Sequence, residues 1–304
     1  MKLKNSLKKI NVGNLGSFNV EIPVIKLGYG NPKITILTGL HGDEYSGLLI
    51  LKELLNKIEV KKGTLQLIVC ANPLARVTKT RETFTDFMDL NRAFPGDEKG
   101  SMTQKIAHKL LQILGDSNLV IDLHTMFLRT KPTPIFVSCR TSVDEKSIEA
   151  LKAFGHENVW KVEAISETQY GQSLGAFLAR QMIPHFALET DNINYITDED
   201  LNSVVEGLKS VLAKNEMINS EIKNVEIKTF VRNRFYVSNS GIFIPHVKVN
   251  DEVNENDLIG YIISQEDFEM EEVRSSKSGF VSDINPKSFV LDGEHVYSIG
   301  VWNK

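Results

Sequence analysis

The chain is predicted to be an α/β protein whose sheet is flanked by helices, followed by a small all-β module. Three observations predict it. Compact β-rich runs alternate with amphipathic helical stretches up to about residue 223, the pattern of a largely parallel or mixed sheet covered on both faces. Helical patterning then stops, and short β-type runs broken by turn residues follow. Finally, 304 residues with 41% hydrophobic and 24% charged side chains suffice for a full core and make two domains the default.

The elements follow in order. Residues 17–27 contain FNVEIPVIKL, which reads as a strand, with Pro23 hinting at an edge position. Gly28, Gly30, Asn31 and Pro32 then mark a turn. KITIL (33–37) is a compact strand. Leu48, Leu49, Leu51, Leu54, Leu55 and Ile58 recur at helical spacing. TLQLIVCAN (64–72) predicts a strand, residues 103–114 a helix, and NLVIDLH (118–124) a buried strand. A strand near 135–138, helices near 147–154 and 173–181, a strand at 183–190 and a helix over 198–214 complete the first part. The polar segment MINSEIKNVE places the boundary near Lys223, giving domains 1–223 and 224–304.

Composition excludes some partners. A formal net charge of −4 offers no electrostatic attraction to nucleic acid or an anionic membrane. No apolar run reaches membrane-spanning length, and the basic start lacks the apolar core of a signal peptide. Cys70 and Cys139 lack the close Cys or His neighbours of a thiolate metal site and read as reduced structural thiols. The expected location is the cytoplasm.

Four segments carry chemistry. In LTGLHGDEYSG, His41 and Glu44 stand three apart where a strand gives way to a helix, so their side chains can converge. Gly39 and Gly42 allow the tight path between the two elements. A bland alternative is an ordinary helix start, with Asp43 and Glu44 complementing the dipole. In VIDLHT, His124 ends an apolar strand, where open α/β sheets place ligands. A lone histidine there is more often a core residue. Two histidines and a carboxylate, each just past a predicted strand, supply the three ligands of a catalytic zinc site with a position left open for water. In RETFTDFMDLNRAFPG, the Arg92 fork beside Asn91 suits a substrate carboxylate, although DLNR alone reads as a solvated loop. Glu189 leaves the apolar strand HFAL, placed for general-base work or simply turned to solvent.

HGDE, ANPLA, DLNRAFPG, DLHT and the late Glu189 occur in an order that resembles the succinylglutamate desuccinylase/aspartoacylase family, relatives of the zinc carboxypeptidases. The resemblance runs from about Val24 to the C-terminus. It implies a zinc-carboxypeptidase-like mixed sheet and one zinc ion per chain on His41, Glu44 and His124. It also implies Asn91 and Arg92 on the substrate carboxylate and Glu189 as general base. Arg81 looks like the arginine that polarises the scissile carbonyl, with Arg76 nearby as the alternative. Asp89 looks like the carboxylate that orients a ligand histidine.

The same resemblance implies that the C-terminal module is a biotinyl-type β sandwich that narrows the cleft entrance. GIFIPHVKVNDEVNENDLIGYI and VRSSKSGFVSDI look like its halves. A carrier function needs a modifiable lysine at a tight turn, and Lys277 is at most a distant echo of one. His246 and His295 read as structural or surface residues. The implied reaction is hydrolysis of an N-acyl amino acid or related small carboxylate-bearing amide. Alternatives are a metallocarboxypeptidase acting on short peptides and a non-catalytic metal-binding scaffold. Loops 126–133 and 167–171 are expected to line the acyl pocket, and homo-oligomer formation is left open.

Overall fold

The computed structural model describes residues 6–165 and 169–303. Strands β1 (Leu7–Leu15) and β2 (Phe18–Tyr29) form an antiparallel hairpin. Then come β3 (Lys33–Thr38), α1 (Ser46–Lys57), β4 (Gly63–Ile68), α2 (Pro73–Thr78), α3 (Met102–Leu114) and β5 (Leu119–Thr125). The short β6 (Arg129–Thr130) precedes β7 (Thr133–Ser138), α4 (Ser142–Phe154), β8 (Asn158–Glu163), α5 (Leu174–Arg180), β9 (His185–Thr190) and α6 (Asp198–Lys214). The C-terminal region is all strand: β10 (Lys228–Tyr236), β11 (Gly241–Pro245), β12 (Glu252–Val253), β13 (Leu258–Ser264), β14 (Met270–Arg274), β15 (Gly279–Ile284), β16 (Ser288–Val290) and β17 (His295–Trp302).

A large mixed sheet runs in the order β1-β2-β4-β3-β5-β9-β7-β8-β10-β17-β15-β12, with β6 pairing β15. Its centre is parallel from β4 through β3 and β5 to β9, and β7 then runs antiparallel to β9. A second antiparallel sheet, β14-β13-β11-β16, lies in the C-terminal region. Strand β10 pairs parallel with β8, so strands from both sides of residue 223 share the large sheet.

Helices cover both faces. Ile34, Ile36, Ile121, Leu123, Phe186 and Leu188 pack with residues of α1, α4 and α6 in one core. Leu37, Ile68 and Val120 pack with residues of α2, α3 and α5 in the other. Because successive strand side chains point to opposite faces, this division decides what the second face presents. Leu119, Ile121 and Leu123 occupy the first core, so Asp122 and His124 emerge on the opposite side. The same alternation brings Ala187 and Glu189 out of β9 beside them. Ile135, Val137, Trp160 and Phe230 lie in a separate apolar cluster continuing that face, with Val162 and Ala187 against it.

The structure differs from the sequence reading in several places. Pro23 is not on an edge strand, because β1 covers β2 on one side, and on the other, just past the end of the ladder to β4, the Val69 N–H donates to the Pro23 carbonyl at 3.3 Å. The strand over 64–72 stops at Ile68, since Asn72 caps α2 by accepting the Ala75 N–H. Helix α1 begins only at Ser46, so His41 and Glu44 sit in the loop ahead of it. VKVNDEV contributes just Glu252–Val253 to a strand. Strands β1, β8, β10 and β14 and helix α2 were not anticipated.

Candidate active site

The loop after β3 is pinned to α2. Gly42 donates its N–H to the Thr80 carbonyl (2.8 Å), and a Cβ on Gly42 would stand 2.0 Å from the Ala75 carbonyl. Gly39 adopts φ +75°, a left-handed conformation that glycine reaches without strain. This path turns His41 and Glu44 back towards the end of β5. Arg76 reinforces it by donating from Nη2 to the Glu44 carbonyl at 2.8 Å.

His41 Nδ1 lies 2.6 Å from Glu44 Oε1, and His124 Nδ1 lies 3.1 Å from Glu44 Oε2. All three side chains are buried, and one ligating atom from each falls within 4.8 Å of the others. Each imidazole turns its other nitrogen to a carboxylate: His41 Nε2 is 3.1 Å from Asp89 Oδ1, and His124 Nε2 is 2.9 Å from Asp122 Oδ2. Asp89 is thus placed beside a candidate ligand. Asp122 was missed from sequence, although it stands two residues before His124 on a strand and so shares its face. The Thr125 N–H also donates to Glu44 Oε2 at 3.1 Å.

The electrostatics follow from this packing. Burial alone would lower the pKa of both histidines. For His41 the Glu44 charge and hydrogen bonds to Asp89 and Glu44 outweigh it, and for His124 Asp122 and Glu44 do. Both are raised. Burial would raise Glu44, but the two histidines hold it well below the usual carboxylate range. Glu189, in register with His124 on the neighbouring strand, is raised by burial, with Glu44 adding and His124 and Arg232 opposing. Its Oε2 is buried without a hydrogen-bond partner among the described residues.

The other sequence candidates meet in the same cavity of about 310 Å³, which is lined by His41, Glu44, Arg81, Asn91, Arg92, His124 and Glu189. A single 3-10 turn, Leu90–Arg92, carries the DLNR segment, anchored by the fully buried Leu90. Asp89 Oδ1 accepts the Asn91 N–H at 2.8 Å, and Asn91 Oδ1 accepts the Leu174 N–H at 2.8 Å. Arg92 lies over the Tyr170 ring, its Cζ 5.2 Å from the centroid. Arg81 is bound to Asp89 Oδ2 through Nε at 3.0 Å and Nη2 at 2.9 Å. Arg76 lies behind the Glu44 loop and is absent from the lining.

Of the expected pocket loops, Met126, Phe127 and Leu128 line the cavity, as does Tyr170, whereas Glu167 falls outside the described residues. Sequence reasoning also missed Trp160, Arg232 and Arg234 on its walls. VRNRFY does alternate cations within an apolar run, the signal of a strand with two arginines on one face, but nothing in it tells which way that face looks. His246 is exposed, and His295 Nε2 lies 2.9 Å from Ser298 Oγ, both away from the cavity. The two cysteines are unbridged. No helix among the described residues is long and apolar enough to cross a membrane.

Residues 30–214 match the profile of the succinylglutamate desuccinylase/aspartoacylase catalytic domain. The chain belongs to this family. It is 33% identical over 147 residues to the N-alpha-acetyl-L-2,4-diaminobutyric acid deacetylase of Halomonas elongata, a match spanning 46% of this chain and 42% of that protein. Its fold is similar to the crystal structure of a succinylglutamate desuccinylase/aspartoacylase from Rhodobacter sphaeroides, with TM-score 0.84 and 22% identity over 98% of this chain and 95% of the other. The product-bound ectoine utilization protein EutE from Ruegeria pomeroyi gives TM-score 0.84 at 20% identity, over 97% and 94% of the two chains. Both solved structures share the fold of this chain over nearly its whole length.

Proposed function

We propose that this protein is a zinc-dependent hydrolase that cleaves the amide bond of an N-acyl amino acid or related small carboxylate-bearing amide. The observation that carries the reading is the convergence of two imidazole Nδ1 atoms and one carboxylate in a cavity that also holds Glu189, Asn91 and Arg92. The donor set fits a zinc ion. With each Nε2–H directed at an aspartate, the Nδ1 lone pairs and the Glu44 oxygens face one another, an arrangement of acceptors that calls for a cation between them. When bound by His41, Glu44 and His124, such an ion supplies Lewis acidity towards water and the substrate carbonyl.

The chain's own residues do the rest. Asp89 and Asp122 hold the imidazoles in the Nε2–H tautomer. Arg92 and Asn91 fix the substrate carboxylate, which aligns the amide for attack. Burial and the missing hydrogen bond at Oε2 make Glu189 a competent proton acceptor, and it returns the proton to the leaving amine. Arg81, anchored by Asp89, shares the charge that develops on the carbonyl oxygen. The family relationship and the named deacetylase relative support amide chemistry.

The test is hydrolysis of a panel of N-acyl amino acids and short peptides, with metal content assayed before and after chelation. Turnover of an acyl amino acid that vanishes on chelation and returns with zinc is the expected result. Cleavage of peptides alone would make the protein a metallocarboxypeptidase, and absence of bound metal would undo the reading.

A further inference from the structure

Arg232 reaches the cleft from β10, beyond the region matched by the family profile. Its side chain is 2% exposed, and its Cζ lies 4.2 Å from the centroid of the Trp160 ring. Asp283 is fully buried 3.3 Å from Nε, an ion pair without hydrogen-bond geometry, and accepts hydroxyl hydrogen bonds from Ser282 and Ser298. Arg232 Nη1 faces only the Met126 sulfur at 3.2 Å, a weak acceptor. Nε and Nη2 are buried without a hydrogen-bond partner among the described residues. A buried donor left without a partner is destabilising. The cavity that Arg232 lines is where a ligand oxygen would relieve that cost.

The surroundings decide which oxygen. Asp283 already balances the Arg232 charge. A second carboxylate would leave Arg232 between two buried negative charges, on a wall that holds Glu44, Asp122 and Glu189 as well as Arg81, Arg92 and Arg234, whereas a neutral carbonyl accepts the N–H without adding any charge. Between the carboxylates and the arginines, Ile135, Val137, Val162 and Ala187 form an apolar floor. Register places them side by side: Ile135 is opposite Ala187, and Val137 is beside Val162. A cationic substrate group on this floor would be flanked by Arg92, Arg232 and Arg234.

Resting on the amide-hydrolase reading above, we propose that Arg232 positions the substrate by donating a hydrogen bond to its neutral acyl carbonyl oxygen, and that the apolar floor sets the specificity, the substrate being a monocarboxylate whose remaining side chain is uncharged and apolar. The carboxylate goes to Asn91 and Arg92, and the apolar group rests on the Ile135, Val137, Val162 and Ala187 floor. A diaminobutyric acid derivative, the compound named for the Halomonas relative, is selected against.

The experiment compares N-acetyl-L-leucine, N-acetyl-L-aspartate and N-acetyl-L-2,4-diaminobutyrate. Turnover is measured with the zinc-loaded parent protein, and binding by calorimetry in its Glu189→Gln variant, each with and without Arg232→Met or Arg232→Lys. The leucine compound is expected to bind at least about tenfold tighter than the other two, a difference of one to two hydrogen bonds or a buried charge. Arg232→Lys, which keeps a cation opposite Asp283, is expected to weaken it by about tenfold through KM at unchanged melting temperature. If Arg232→Met fails to fold, the lysine variant decides. Tighter binding of the acidic or cationic compound, or an Arg232→Lys protein within twofold of the parent, overturns the proposal. Binding with the expected ranking but no hydrolysis supports it and overturns the amide-hydrolase reading instead.

Discussion

Asp122 and His124 stand two residues apart on β5, and the Asp122 carboxylate lies 2.9 Å from His124 Nε2 while Nδ1 of the same ring faces Glu44. One strand thus delivers both a candidate ligand and the group that fixes its tautomer. Replacing Asp122 with Ala removes the acceptor and frees the ring. Zinc affinity should fall by about 10–100-fold, read by competition with a chromogenic chelator. An unchanged affinity would show that Asp122 does not orient the ligand.

Glu189→Gln tests the proton-transfer role. The variant should retain stoichiometric metal and the parent melting temperature while kcat drops by about 10²–10⁴-fold. Measuring metal content and turnover on one preparation separates the effects. Full activity would remove Glu189 from the mechanism.

Arg92→Met should act mainly on binding. The lost charge-assisted contact to a substrate carboxylate is worth about 1.5–3 kcal/mol, so KM is expected to rise by roughly 10–100-fold with a smaller change in kcat. Initial rates over a wide substrate range report this. A pure kcat defect would place Arg92 at the reacting centre.

Gly42→Ala probes the loop. The added methyl would stand 2.0 Å from the Ala75 backbone, so the loop bearing His41 and Glu44 has to move. Overpacking of this kind costs about 1–3 kcal/mol, and zinc binding should weaken with it. Thermal denaturation with and without zinc checks both effects.

His185 gives the protein an acid-sensitive component. The ring is 2% exposed, Nδ1 donates to the Ile183 carbonyl at 3.1 Å, and Nε2 has no partner among the described residues. Burial holds its pKa below the ordinary 6.5. Above that value folded and unfolded chains both carry the neutral ring, so it adds no pH dependence. Below it the unfolded chain takes the proton first, and stability falls until the folded group titrates too. Between pH 7.5 and 5.5 the parent should lose more stability than His185→Leu in urea unfolding. His156, whose pKa burial also lowers, acts in the same direction in both proteins and cancels from the difference. Parallel curves would refute the assignment.

Much of the fold and of the candidate site was legible in the sequence, for local reasons. Period-2 and helical periodicity report which side chains are buried, and α1, α3, α4, α5, α6 and the central strands all followed from them. The motif residues His41, Glu44, Asp89, Asn91, Arg92, His124 and Glu189 were named by type and order, and all of them meet around one cavity. Less legible were elements whose sequences are polar or depend on a partner. Strand β1 alternates lysine and asparagine with isoleucine and valine and depends on pairing with β2 and on packing Ile10, Val12 and Leu15 against the second core. The two-residue β12 exists because β15 runs alongside.

By itself, then, the sequence determined an α/β sheet with a C-terminal β region and the chemical types that cluster at its strand ends, because periodicity and side-chain chemistry are local properties. Tertiary structure alone decided which strands neighbour one another. The order β5-β9-β7-β8-β10 sets the candidate ligand His124 beside Glu189 and brings the arginines of a distant strand across Trp160. Sheet order is fixed by long-range pairing and by the packing of two cores against opposite faces. No local pattern encodes that geometry.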